Sequence, residues 1–156
     1  MQTKTFAVTG MMLVIVGCGG GAQLITDPDL LTYTATSQVT SNKPMTFSTT
    51  VTISNGTSQS LSFRPSGCAI PRTLIYTNAS RTGTPIWDSS TRPPPPCALA
   101  VSVTLAPGKS VSYTLTATGA EALGASGAAG TYYLTDEVTL DGVPYAASAG
   151  QLSLAR

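Results

Sequence analysis

The sequence predicts an all-β protein built as one antiparallel sandwich, and three observations carry that prediction. Met45, Phe47, Thr49, Val51 and Ile53 alternate with Thr46, Ser48, Thr50, Thr52 and Ser54, the period of a strand with one wet face. Turn signals recur about every 8 to 12 residues along the chain, the spacing of short antiparallel strands. Helix formers are scarce: charged residues make up 10% of the chain, and Glu121 and Glu137 are the only glutamates among 156 residues. That length is one domain's worth, enough to bury a continuous core.

Lys4 precedes an apolar run over residues 6–16, shorter than the roughly 20 residues that cross a bilayer. Its dimensions are those of a signal-peptide core. Ile15-Val16-Gly17-Cys18 at its end resembles the bacterial lipobox, which implies that residues 1–17 are a signal peptide and that Cys18 becomes the lipid-bearing N-terminus. The alternative is an ordinary secretory leader followed by a free cysteine. Gly19 stands where an Asp would resemble an inner-membrane retention signal. The expected location is therefore the bacterial cell envelope, on the outer membrane where the host has one, with the domain outside the cytoplasm. Residues 18–30 read as a polar, Gly-led tether and residues 31–156 as the sandwich.

Leu31, Tyr33 and Ala35 alternate with threonines, predicting a first strand over 31–40 that Ser41-Asn42-Lys43-Pro44 ends. The strand from Met45 runs into Asn55-Gly56, a pair suited to a tight reversal, and Leu61 and Phe63 resume the alternation, so a hairpin is expected there. Residues 73–76 form a short strand and 78–83 a polar turn. Pro85-Ile86-Trp87-Asp88 reads as a strand whose proline marks an edge or a start. Four prolines, Pro93, Pro94, Pro95 and Pro96, make residues 89–97 a rigid extended loop. Val101, Val103 and Leu105, the turn Pro107-Gly108, and Val111, Tyr113, Leu115 and Ala117 read as a second hairpin. Residues 120–130 are a crossover with room for one helical turn at Glu121-Ala122-Leu123. A strand over 131–140, the turn Asp141-Gly142, a return over 143–146 and a closing strand carrying Leu152 and Leu154 complete the chain. Eight or nine such strands define a sandwich of immunoglobulin-like type.

Chemistry is limited by what the sequence lacks. Without a single histidine, the Ser-His-Asp and Cys-His arrangements and most zinc sites are excluded, so no enzyme activity, metal or cofactor is expected. The formal charge is +1, and loss of Lys4 with the leader leaves seven basic residues (eight less one) against seven acidic, which argues against nucleic acid as partner. Gly108-Lys109-Ser110 echoes a phosphate loop but joins two strands, and the Asn55 and Asn78 sequons fall where turns are expected. Asp136 and Glu137, being neighbours on a strand, point to opposite faces and read as rim charges. With Cys18 lipidated, Cys68 and Cys97 are left as one disulfide pair in an oxidising compartment. Trp87 is expected mainly as a packing residue. The Tyr132-Tyr133 pair should divide between inside and outside, leaving Trp87 and Tyr133 as the candidate aromatic contacts.

Ile53-Ser54-Asn55-Gly56-Thr57 leading to Leu61-Ser62-Phe63, then Ser66-Gly67-Cys68, Pro85-Ile86-Trp87, Thr104-Leu105-Ala106-Pro107-Gly108 and Gly130-Thr131-Tyr132-Tyr133-Leu134 follow one another in this chain. Together they resemble the BsuPI-type intracellular proteinase inhibitor domain over about residues 45–140. The resemblance implies an immunoglobulin-like fold and inhibition of a serine protease, although the leader and the cysteine pair depart from an intracellular role. Two loops are stiff enough to serve as binding loops: Ile70, Pro71 and Arg72, beside Cys68, and Arg92 with Pro93, Pro94, Pro95 and Pro96. The expected function is a lipid-anchored module, held to a membrane and binding a protease or an envelope protein. A structural or assembly lipoprotein of the envelope without inhibitory activity is the alternative.

Overall fold

The computed structural model describes residues 23–24, 30–66, 68, 70–93 and 102–156. Among the described residues ten strands make up nearly all of the regular structure: β1 (Gln23–Leu24), β2 (Leu31–Asn42), β3 (Met45–Asn55), β4 (Leu61–Phe63), β5 (Arg72–Tyr76), β6 (Trp87–Asp88), β7 (Val103–Leu105), β8 (Ser110–Thr118), β9 (Gly130–Leu140) and β10 (Val143–Leu154). One sheet has the order β2-β3-β8 and faces a second with the order β10-β9-β5-β6, every pairing within them antiparallel. This is the all-β sandwich that the alternation predicts. A small third sheet, β1-β4-β7, lies at one end.

Strand parity follows the sequence. Phe47, Thr49, Val51 and Ile53 are buried on β3, while Thr50, Thr52 and Ser54 on its other face bond across to Thr114, Ser112 and Ser110 of β8 at 2.8–2.9 Å. Such hydroxyl pairs give the sheet a wet face without charges, which accounts for the low charge content. Between the sheets lie two apolar clusters. Phe47, Trp87, Leu115, Leu134 and Leu154 belong to the first, and Val51, Ile53, Phe63, Val138 and Leu140 to the second. Residues Gly119–Leu123 form the expected helical turn, α1, capped by the Thr118 side chain accepting from the Glu121 amide at 3.1 Å. At Asp141-Gly142 both φ angles are positive, 49° and 84°, as the tight β9–β10 reversal requires.

Four expectations are corrected. Neither predicted hairpin forms: β3 pairs with β8, and β4 pairs with β7. β3 is a central strand with both edges taken by β2 and β8, so the chain after Asn55 must leave for another sheet. Asn55 makes that departure stable. Its Nδ2 donates to Gln59 O at 2.8 Å and Leu105 O at 2.9 Å, and its Oδ1 accepts from the amide and the hydroxyl of Thr57 at 2.9 and 2.8 Å. The Asn55 amide and carbonyl meanwhile bond to Lys109 O and the Gly108 amide, tying the two crossovers together. Second, the return after Asp141-Gly142 and the closing strand are one strand, β10, with a bulge between Ser148 and Gly150. Third, within the segment expected as tether, Gln23–Leu24 pairs in parallel with Leu61 and Ser62. Fourth, Asp136 is fully buried, because the inward parity of β9 runs through Tyr132, Leu134, Asp136, Val138 and Leu140. Glu137 does lie toward the rim, where Arg72 approaches it.

Candidate functional site: the groove between two stiff loops

The two loops singled out for rigidity meet. Ile70, Pro71 and Arg72 enter β5 from one side, and Ser89, Arg92 and Pro93 come from the turn after β6, so that a groove of about 570 Å³ opens between them beside Thr114–Thr116 of β8. Pairing of Ile75 with Trp87 and of Leu74 with Asp88 creates this proximity, by laying β6 along β5 at the edge of the sheet. Edge position is what Pro85 predicts.

Arg72 is clamped. Its Nε lies 3.0 Å from Asp88 Oδ1 and its Nη2 2.6 Å from Asp88 Oδ2, a forked pair, and Nη1 reaches Glu137 Oε2 at 3.5 Å. The hydrogen bonds from Arg72, with further bonds from Ser90, hold the Asp88 carboxyl well below the usual carboxylate range. Asp88 also caps the 3-10 turn Ser89–Thr91, accepting from the Ser90 amide at 2.9 Å. Across the groove Arg92 pairs with Glu121 at 2.6 Å and donates to Thr116 O at 3.2 Å. Both guanidinium groups therefore already have carboxylate partners, and the groove presents ordered, charge-compensated walls rather than an anion hole. Pro71 is buried and fixes its loop, while Ile70 beside it is 39% exposed. Cys68 lines the groove half-buried. Pro94, Pro95, Pro96, Cys97 and Cys18 lie outside the described residues.

The aromatic candidates fare differently. Trp87 is buried at 8% exposure with its ring edge-on to Phe47, centroids 6.1 Å apart, so it is a core residue and offers no face to a ligand. Tyr132 and Tyr133 divide as expected, with Tyr132 buried. The Tyr133 ring is covered by the Arg81 guanidinium, 5.8 Å from its centroid. Arg81 is held there by Leu134 O at 3.1 Å and Gly150 O at 3.0 Å. Nothing in the spacing of the polar turn carrying Arg81 announces that role.

A second, smaller hollow of about 200 Å³ lies at the far end between Leu31, Tyr33, Phe63, Leu140, Val143 and Tyr145. Tyr33 and Tyr145 stack there at 4.5 Å and 3°. Burial, then the neighbouring Tyr145, pushes the Tyr33 hydroxyl well up. Among the described residues no group of three or more His, Cys, Asp or Glu is placed to hold a metal ion.

No family model and no curated protein matches the chain. Solved structures give only faint likenesses. The ApaA protein of Bordetella pertussis is 18% identical over 80% of this chain and 92% of its own, with a TM-score of 0.35. A structural-genomics target designated SoR45 is 17% identical over 82% and 88%, with a TM-score of 0.34. β-Glucosidase 3B of Thermotoga neapolitana is 13% identical, and the match spans 80% of this chain but 17% of that enzyme, with a TM-score of 0.34. At this level neither fold nor activity carries across.

Proposed function

We propose that the protein is a lipid-anchored, extracytoplasmic β-sandwich that binds another protein through the groove between Ile70-Pro71-Arg72 and Arg92-Pro93, and that it works by binding rather than by catalysis. A serine protease is the partner that the resemblance to the BsuPI family implies. The observation that carries this reading is the convergence of the two stiff loops on one groove with Ile70 exposed at its lip. Since Pro71 is buried and both arginines are clamped, a partner meets a surface that is already ordered, and the entropy cost of binding is small. The Cys68–Cys97 bridge belongs to the same proposal, and the position of Cys68 in the lining of the groove supports it.

Titrating the full chain against a panel of serine proteases tests the partner. Stoichiometric inhibition is expected, weakened about tenfold by Ile70→Ala, the size of a moderate interface contact. Absence of inhibition at large molar excess removes the protease. One dominant envelope partner in a pull-down, unaffected by changes in either loop, gives the assembly role instead. Anchoring is tested separately. Stable attachment needs more than one acyl chain, so Cys18→Ala should move the protein from the membrane to the soluble fraction, and its retention on the membrane would remove the lipid anchor.

A further inference from the structure

The two apolar clusters of the core are separated by a polar layer. On β3, Thr49 stands between Phe47 of the first cluster and Val51 of the second; on β9, Asp136 stands between Leu134 and Val138. Thr73 of β5 lies opposite Asp136 in the sheet register. All three side chains are at 0% exposure. Thr73 Oγ1 donates to Asp136 Oδ1 at 2.6 Å, and Thr49 and Thr73 hydroxyl oxygens are 2.8 Å apart. A hydroxyl has one proton to give, so while Thr73 donates to Asp136 the other bond must run from Thr49 to Thr73. The chain of hydroxyls thus starts on one sheet and ends on a carboxyl of the other. Asp136 Oδ2 has no hydrogen-bond partner among the described residues.

Among the described residues no cation answers this carboxyl. β3 presents Thr49 to it, β5 presents Thr73, and β10 has Ala147 in register beside it. Arg72, next in sequence to Thr73, pairs on the exposed face with Asp88 and with Glu137, the neighbour of Asp136. The influences acting on its proton are burial and the two threonine hydroxyls, with no charged neighbour among them.

We propose that Asp136 is a proton-operated lock between the two sheets: protonated, it completes a neutral polar layer joining β3, β5 and β9; ionised, it leaves an uncompensated charge in the centre of the sandwich and loosens it. Protonation also lets the chain reverse, with the acid donating to Thr73 and Thr73 to Thr49. Burial pushes the carboxyl up to about 6 from an ordinary 3.8, against the smaller lowering by Thr73 and Thr49. The folded state therefore holds this proton more tightly than the unfolded chain. The penalty is absent below the ordinary value, grows as pH rises toward about 6, and is complete above it. Because the lock is internal to the fold, it stands whether or not the groove binds a partner.

The test is denaturant unfolding of the full chain between pH 4.5 and 8, a window above the range in which Asp88 contributes. With the shift given, the folding equilibrium constant should fall roughly 30-fold across that window. Asp136→Asn, which is uncharged throughout, should flatten the dependence. Should the variant fail to fold, the infrared carbonyl band of a protonated carboxyl in the native protein gives the same information: it should persist at pH 5 and vanish with a midpoint near 6. A wild-type stability flat across the window, a variant with the same slope as wild type, or the absence of a carboxyl titrating near pH 6 in the folded protein would overturn the proposal.

Discussion

Asn55 and Asp136 are both buried polar side chains in the same sandwich, at 1% and 0% exposure, yet they do opposite things. Asn55 sits where two crossovers meet and both ends of its amide are engaged, with two bonds donated and two accepted. Asp136 sits in the middle of the core with one oxygen bonded and the other without a partner among the described residues. A polar group whose every atom is satisfied behaves as a structural knot, and its contribution does not depend on pH. One that is half satisfied and ionisable costs the fold something in its charged state, and that cost is what makes it responsive. The comparison breaks most visibly at Asn55. Asn55→Ala leaves Leu105 O and the Thr57 amide without the Asn55 side chain, groups costly to leave unpaired, and takes from Gln59 O the shorter of its two donors, the Thr57 hydroxyl remaining, so it should lower stability by about 3 kcal/mol. Urea midpoints at pH 4.5 and 7.5 should show the same loss; a loss confined to one pH would mean that the knot also depends on the charge of the core.

The strands, their faces and the turns were readable because each is a local property: parity places Phe47, Val51 and Ile53 inside, and Asp141-Gly142 tolerates the positive φ of a tight turn. Which strand pairs with which was not. Asn55-Gly56 and Pro107-Gly108 signal only that the chain turns, and the same signal serves a hairpin or a crossover to another sheet. What separates the two is whether the partner edge is vacant, and the edges of β3 are filled by β2 and β8, residues distant in sequence. The groove shares that limit: the stiffness of each loop is written in Pro71 and Pro93, but their meeting depends on β6 lying along β5. Asp136 was legible in principle. Its parity with Tyr132, Leu134, Val138 and Leu140 places it inside as firmly as any apolar residue, and the charge of the side chain outweighed the pattern it belongs to.

Thr73 offers a smaller perturbation that sharpens the same contrast from the side of the lock. Thr73→Val keeps the branched shape of the side chain and replaces the hydroxyl with a methyl, so the main change is in hydrogen bonding. What disappears is the donor to Asp136 Oδ1 and the acceptor for Thr49. A hydrogen bond to a charged acceptor is worth more than one to a neutral acid, so the loss should be about 2 kcal/mol at pH 7.5 and about half that at pH 4.5. The Thr73 hydroxyl lowers the carboxyl's proton affinity, so its removal should also move the titration of Asp136 further up from about 6. Denaturation of wild type and variant at the two pH values reads both effects: the steeper pH dependence of the variant identifies a carboxylate that had been leaning on Thr73. An equal loss at both pH values would mean instead that Asp136 does not change its charge between them, and that the layer is as indifferent to pH as the knot at Asn55.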